Sequence, residues 1–286
     1  MSLKAMVAAT AGASLLVLFA VVSRQSAAVT RQTMPHWDLV WSDEFDQPDG
    51  SLPDPKKWTF DIGGNGWGNH ELEYYTNRAA NASVRGGKLQ ITAIRENYKG
   101  ADNVAWQYTS ARLKTQGIFT QAYGKFAARI QIPRGQGMWP AFWMLGDDIE
   151  KNDWPTCGEI DIMENIGREP STVHGSMHGP GYSGDEGFTS IFHFPGGVKF
   201  ADDFHEYSVE WDPGSSRFFV DDRQYAEFKP SHLPAGKKWV FDHPFFLLLN
   251  VAVGGDWPGP PNATTQFPQS MLVDYVRVYK RAASTN

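Results

Sequence analysis

One cysteine in 286 residues, Cys157, excludes an intramolecular disulfide. Basic residues are in the minority, with 26 Lys and Arg against 32 Asp and Glu. The formal charge of −6 argues against nucleic acid as a partner and suits an uncharged substrate. Helical periodicity is almost missing, and no repeat, low-complexity block or Pro/Ser-rich linker follows about residue 36. What is present is a 41% hydrophobic content, enough for a core, and 11 tryptophans. That is more indole than a core of this size needs, and surplus indole often lines ligand clefts.

The long run of apolar or small residues without a charge is Ala5 to Val22, which follows Lys4 and precedes the small-residue stretch Ser26-Ala27-Ala28. This is the pattern of a secretory signal peptide over residues 1–28. An uncleaved anchor is the rival reading, since about 18 apolar residues approach a membrane span. Against it, many of those residues are Ala, Gly, Ser or Thr. Loss of Lys4 and Arg24 with the leader takes the charge to −8, two positive charges fewer. The mature protein is expected to be extracellular or periplasmic and off the membrane, with a disordered segment over 29–36 and one domain over 37–281.

Short segments rich in β-branched and aromatic residues recur, separated by Gly, Pro, Asn and Asp. Strands are expected over 88–93, 124–132, 205–211, 217–220, 245–253 and 272–279, with a hairpin turn at Val220 to Gln224. The first and third alternate apolar and polar residues, as in sheets with one buried face. Many strands and long connections indicate an all-β chain, a large β-sandwich of jelly-roll type.

Gly158-Glu159-Ile160-Asp161-Ile162-Met163-Glu164 places three acids within six residues. Glu159 and Asp161 share one face of a strand, whereas Glu164 has the wrong parity. A β-bulge at Ile162 or Met163 would turn Glu164 back toward its partners. Clustered like charges are costly as mere structure, but they make sense where ionised and protonated carboxyls need separate roles. Glycosidic hydrolysis has that need, with a carboxylate on one side of the bond and a carboxylic acid on the other. The plain alternative is a charged strand edge facing water. A Ca²⁺ site is a further one, disfavoured by the rigid interleaving of Ile160, Ile162 and Met163.

This motif resembles the active-site signature of glycoside hydrolase family 16, and the resemblance runs from Asp38 to Tyr279. Segments similar to that family include Trp41 to Phe45, Gly68 to Thr76, Ser110 to Leu113, Gly137 to Gly146 and Val273 to Tyr279. Met163, as an extra residue, matches the bulged branch of β-1,3-glucanases, agarases and carrageenases. His178 to Gly184 and Leu249 to Gly259 are similar to bacterial laminarinases.

The resemblance implies a concave substrate cleft and a retaining endo-β-1,3-glucanase with no organic cofactor, acting on β-glucan as a monomer. It makes Glu159 the nucleophile, Glu164 the acid/base and Asp161 the assisting acid. It puts Trp139 and Trp154 in the cleft. Trp143 is cleft floor or core, and Trp257 is in a Gly/Pro-rich loop with little core to join. Asn69 and Arg112 match polar sugar-binding positions, although Arg112 also fits an ordinary salt bridge. His178 can bond the acid/base or a substrate hydroxyl, or be structural. Glu71 and Glu73 are unassigned, and Cys157 reads as a small buried side chain. A structural Ca²⁺ is implied at Glu44, the carbonyl of Gly86 or Gly87, and Asp274. Mixed β-1,3/1,4-glucanase or agarase activity, and a non-catalytic β-glucan-binding module, are the alternatives.

Overall fold

The computed structural model describes residues 36–282, so the expected leader and almost all of the 29–36 segment lie outside the described residues. The strands are β1 (Trp37–Asp43), β2 (Thr59–Asp61), β3 (Glu73–Tyr75), β4 (Ala82–Val84), β5 (Leu89–Lys99) and β6 (Ala105–Ser110). They continue with β7 (Arg112–Lys114), β8 (Gly124–Gln131), β9 (Met138–Gly146), β10 (Glu159–Glu164), β11 (Val173–His178) and β12 (Phe188–Phe192). The last are β13 (His205–Asp212), β14 (Ser215–Val220), β15 (Arg223–Phe228), β16 (Phe245–Val253) and β17 (Gln269–Arg281). No helix among the described residues is long and apolar enough to cross a membrane.

These strands form two sheets. One runs β15-β14-β13-β8-β17-β5-β6-β3, with β1 added on β17 and β4 on β5. The other runs β12-β11-β10-β9-β16-β7-β2. The core between them draws on alternate residues of each strand. In β5 it takes Leu89, Ile91 and Ala93 and leaves Gln90 and Thr92 half-buried. This is the expected all-β sandwich of jelly-roll type.

The smaller sheet shows how parity builds a face. Phe245, Leu247, Leu249, Val251 and Val253 of β16 enter the core. The alternate residues Phe246 and Leu248 join Leu145 and Cys157 in a small cluster on the other face, which Asn250 and Ala252 continue. In β9, Met138, Phe142 and Met144 point inward, so Trp139, Ala141, Trp143 and Leu145 line the outer face.

A proline ordinarily marks an edge or an irregular start of a strand, but Pro140 lies inside β9 and pairs with Val251. Its carbonyl accepts from Asn165 N at 3.3 Å, so its missing N–H also faces the β10 side. There β10 has already ended at Glu164, and no ladder bond is lost. The expected turn after Val220 is a two-residue hairpin. Asp221 and Asp222 both take left-handed φ values, 47° and 60°.

Candidate active site

β10 enters from Gly158 at φ +77°, where a Cβ would also come within 2.9 Å of the Phe245 ring. Glu159 lies opposite Leu145 and His178, and Asp161 opposite Trp143 and Ser176. After Asp161 the register slips. Glu164 lies opposite Ala141 and His174, and Ile162 has no partner on β9. The extra residue is therefore Ile162 and not Met163, which pairs with Phe142. Ile162 and Met163 both enter the core, and this restores Glu164 to the face of Glu159 and Asp161. The sandwich core thus shapes the site, because two consecutive apolar side chains are drawn inward.

His178 Nε2 lies 3.0 Å from Asp161 Oδ2 and 3.9 Å from Glu159 Oε1. Of the roles open to His178, the acid/base, a substrate hydroxyl or a structural one, its position is beside Glu159 and Asp161, because β11 pairs it with Glu159. Trp139 donates Nε1–H to Glu164 Oε1 at 2.9 Å. Burial, and then the charge of Asp161, raises the Glu159 carboxyl to about 8. Burial likewise raises Glu164 to about 7, with Glu159 adding to the shift and the Trp139 hydrogen bond opposing it. Asp161, with a side chain only 4% exposed, is raised by burial and by Glu164. Three acids raised together hold protons among themselves at neutral pH. Donor atoms of Glu159, Asp161 and His178 all lie within 4.8 Å of one another, so this trio could also hold a cation.

Trp139 meets Trp257 edge-on, with centroids 5.4 Å apart, and Trp257 meets His174 at 4.8 Å. His174 is the cross-strand partner of Glu164. Trp257 therefore walls the Glu164 side of the site. Arg168 holds its backbone carbonyl. On the other flank, Arg112 lies over Trp67 and Trp143, 4.8 and 4.6 Å from their ring centroids, and pairs with Asp61 at 3.0 Å. Arg112 is thus both the ordinary ion pair and a side chain sandwiched between two indoles. Trp143 is floor, donating Nε1–H to Asn250 Oδ1 at 2.8 Å. Asn69 donates to Glu71 Oε1 at 3.3 Å and holds Asp256 N through its own carbonyl. Gly255, at φ +114°, follows on from these. A Cβ on it would lie 3.0 Å from Asn69 O and 3.7 Å from the Trp139 ring, so the bare backbone leaves room between them. Trp154 is 44% exposed in the connection ahead of β10, and its hydrogen bond runs from its backbone N to Asp153 rather than to the three acids.

Sequence reading missed Trp67, Tyr75, His174 and Asn250. Parity along Phe245 to Val253 was the available signal for Asn250, the one amide in an apolar strand. Cys157 is fully buried, and burial pushes its thiol up to about 11, as befits an inert side chain.

The three positions implied for calcium each face a cation of the chain. Arg277 grips both Glu44 oxygens at 2.9 and 2.8 Å, Lys88 Nζ donates to Gly86 O at 3.2 Å, and Arg129 holds Asp274 at 2.8 Å. Donors so arranged do not fit Ca²⁺, which needs six or more oxygens free of competing positive charge.

The sequence profile of the Glycosyl hydrolases family 16 matches residues 69–277. A beta-glucanase of Rhodothermus marinus is 47% identical over 257 residues, 86% of each chain. A solved catalytic domain of an endo-1,3-beta-glucanase (laminarinase) from Thermotoga petrophila RKU-1 is 49% identical with a TM-score of 0.83. It covers 87% of this chain and 100% of its own. The endo-beta-1,3-glucanase of Pyrococcus furiosus is 46% identical with the same TM-score, covering 87% of this chain and 97% of its own.

Proposed function

The chain belongs to glycosyl hydrolase family 16, and on that premise we propose that it is an endo-β-1,3-glucanase that cleaves laminarin-type glucan by double displacement. The observation that carries the mechanism is the bulge, which sets Glu159, Asp161 and Glu164 on one sheet face with Trp139 bonded to Glu164. The names of the similar proteins support the substrate.

In the first step the Glu159 carboxylate attacks the anomeric carbon, and Glu164 gives its proton to the departing glycosidic oxygen. This leaves a glycosyl ester on Glu159. In the second step Glu164, now a carboxylate, takes a proton from water while the water oxygen displaces Glu159. Asp161 solves a problem that the raised carboxyls create. A proton shared between Glu159 and Asp161 removes the like charge beside the nucleophile, and Glu159 attacks when that proton rests on Asp161. His178 stands 3.9 Å from Glu159 on the same side. Trp139 and Trp257 offer indole faces to the C–H faces of sugar rings.

The same reading includes secretion through cleavage after residue 28, action as a monomer, and an exposed Trp154 available to the polymer. N-terminal sequencing of the exported protein tests the first of these. The reaction itself is tested by product analysis of the purified protein on laminarin, barley mixed-linkage glucan, carboxymethylcellulose and agarose. Short β-1,3 oligosaccharides released first from laminarin are expected. Cleavage of another polymer in preference would overturn the substrate, and no cleavage at all would return the protein to the non-catalytic binding modules.

A further inference from the structure

Beside the cleft lies a second pair of carboxyls that the reaction does not use. Glu73 is fully buried and Glu71 is 7% exposed. Glu73 Oε2 accepts Val253 N–H at 2.6 Å, but its Oε1 is buried without any donor, with the Glu71 carboxyl as its neighbour. Glu71 is the reverse case, since donors converge on it. Asn69 Nδ2 reaches Oε1 at 3.3 Å and the Tyr75 hydroxyl reaches Oε2 at 3.0 Å. Among the described residues no lysine or arginine is salt-bridged to either carboxyl, and Arg112, which acts on Tyr75, is taken by Asp61.

We propose that Glu71 and Glu73 hold one proton between them, carried on Glu73 and donated to an anionic Glu71, and that this pair positions the sugar-binding floor of the cleft. The proton supplies the donor that Glu73 Oε1 otherwise lacks, and a buried carboxyl with no cation partner is kept neutral. Burial and the charge of Glu71 both push Glu73 well above the usual carboxylate range.

The anion on Glu71 then fixes two arms. One is Asn69, which also holds the 254–257 loop through Asp256 N. The other is Tyr75, whose hydroxyl donates to Glu71 and accepts from Asn250 Nδ2 at 3.1 Å, while Asn250 Oδ1 accepts from Trp143. Neither glutamate touches the three catalytic acids, so both are positioning residues. They act on the binding of sugar and not on bond cleavage.

The assignment makes the two glutamates unequal, and isosteric amides expose the difference. In Glu73→Gln the amide N–H₂ replaces the acid proton as donor to Glu71. We expect KM for laminarin within about twofold of wild type and an unchanged melting temperature. In Glu71→Gln an N–H₂ group faces at least one of three donors. KM should rise about tenfold while kcat stays within about threefold. A silent Glu71→Gln, or a Glu73→Gln variant as impaired as Glu71→Gln, overturns the proposal.

Carbon-13 NMR of glutamate-labelled wild-type protein tests the proton directly, whatever the variants do. Apart from the two catalytic glutamates, which titrate near about 7 and about 8, one glutamate carboxyl should keep its protonated shift up to pH 9, and that signal should vanish in Glu73→Gln. Its absence from wild type overturns the proposal. The kinetic arm rests on the glucanase reading. If the wild-type protein fails to cleave laminarin, that reading fails, and the NMR signal still decides the proton.

Discussion

Trp139 and Glu164 stand on neighbouring strands, β9 and β10, and the indole N–H of the first meets the carboxyl of the second at 2.9 Å. This bond favours the ionised form of Glu164 and opposes the burial that raises it. Trp139→Phe keeps an aromatic face and removes the bond. The Glu164 pKa should then rise, the alkaline limb of kcat/KM should move to higher pH, and KM should increase several-fold. A pH–rate profile on laminarin checks the shift. A limb that stays in place would separate Trp139 from proton control.

Glu164 must be protonated to act first as an acid, and its pKa lies near about 7. Activity should therefore fall as pH rises through about 7, and Glu164→Gln should lose at least about 10³-fold in kcat. Stability should follow the same sense. Glu159 and Glu164 are raised from 4.5 to about 8 and about 7, so between those limits the folded chain binds more protons than the unfolded one. Their contribution is fully present below about pH 4.5 and is lost as pH rises through 7 to 8. The melting temperature should drop by several degrees from pH 5 to pH 8.5, and Glu159→Gln should flatten that slope.

The bulge at Ile162 makes a prediction of opposite sign for two one-residue changes. Deletion of Ile162 leaves Glu159, Asp161 and Glu164 at spacings that regular alternation already puts on one face. The core loses one side chain, at about 3 kcal/mol, but measurable laminarin hydrolysis should survive below the lowered melting temperature. Insertion of an alanine between Ile162 and Met163 turns Glu164 toward the core, and hydrolysis should vanish. Reducing-end assays and thermal melts on both variants read this out. An active insertion variant would contradict the register.

The strands were legible because alternation is a local property, as in Leu89-Gln90-Ile91-Thr92-Ala93. The need for a bulge was legible for the same reason, since Glu164 has the wrong parity. What parity cannot provide is register between strands distant in sequence. That Ile162 and not Met163 is unpaired depends on β9, and that His178 meets Glu159 and Asp161 depends on β11. The cations beside the implied calcium positions were hidden on the same ground. Glu44 and Asp274 read as free oxygen donors in sequence, while Arg277 reaches Glu44 only after β1 has paired with β17, and Arg129 reaches Asp274 only after β17 has paired with β8. Glu71 and Glu73 were visible as a pair but could not be interpreted until Tyr75, Asn250 and Val253 surrounded them.

Double displacement at Glu159 fixes the stereochemistry of the product, so proton NMR of the newly formed reducing end during early laminarin cleavage is the most direct test. The β-anomer should accumulate first, with the α-anomer appearing only at the rate of mutarotation. An α-anomer formed first would mean direct attack by water and would contradict Glu159 as the nucleophile.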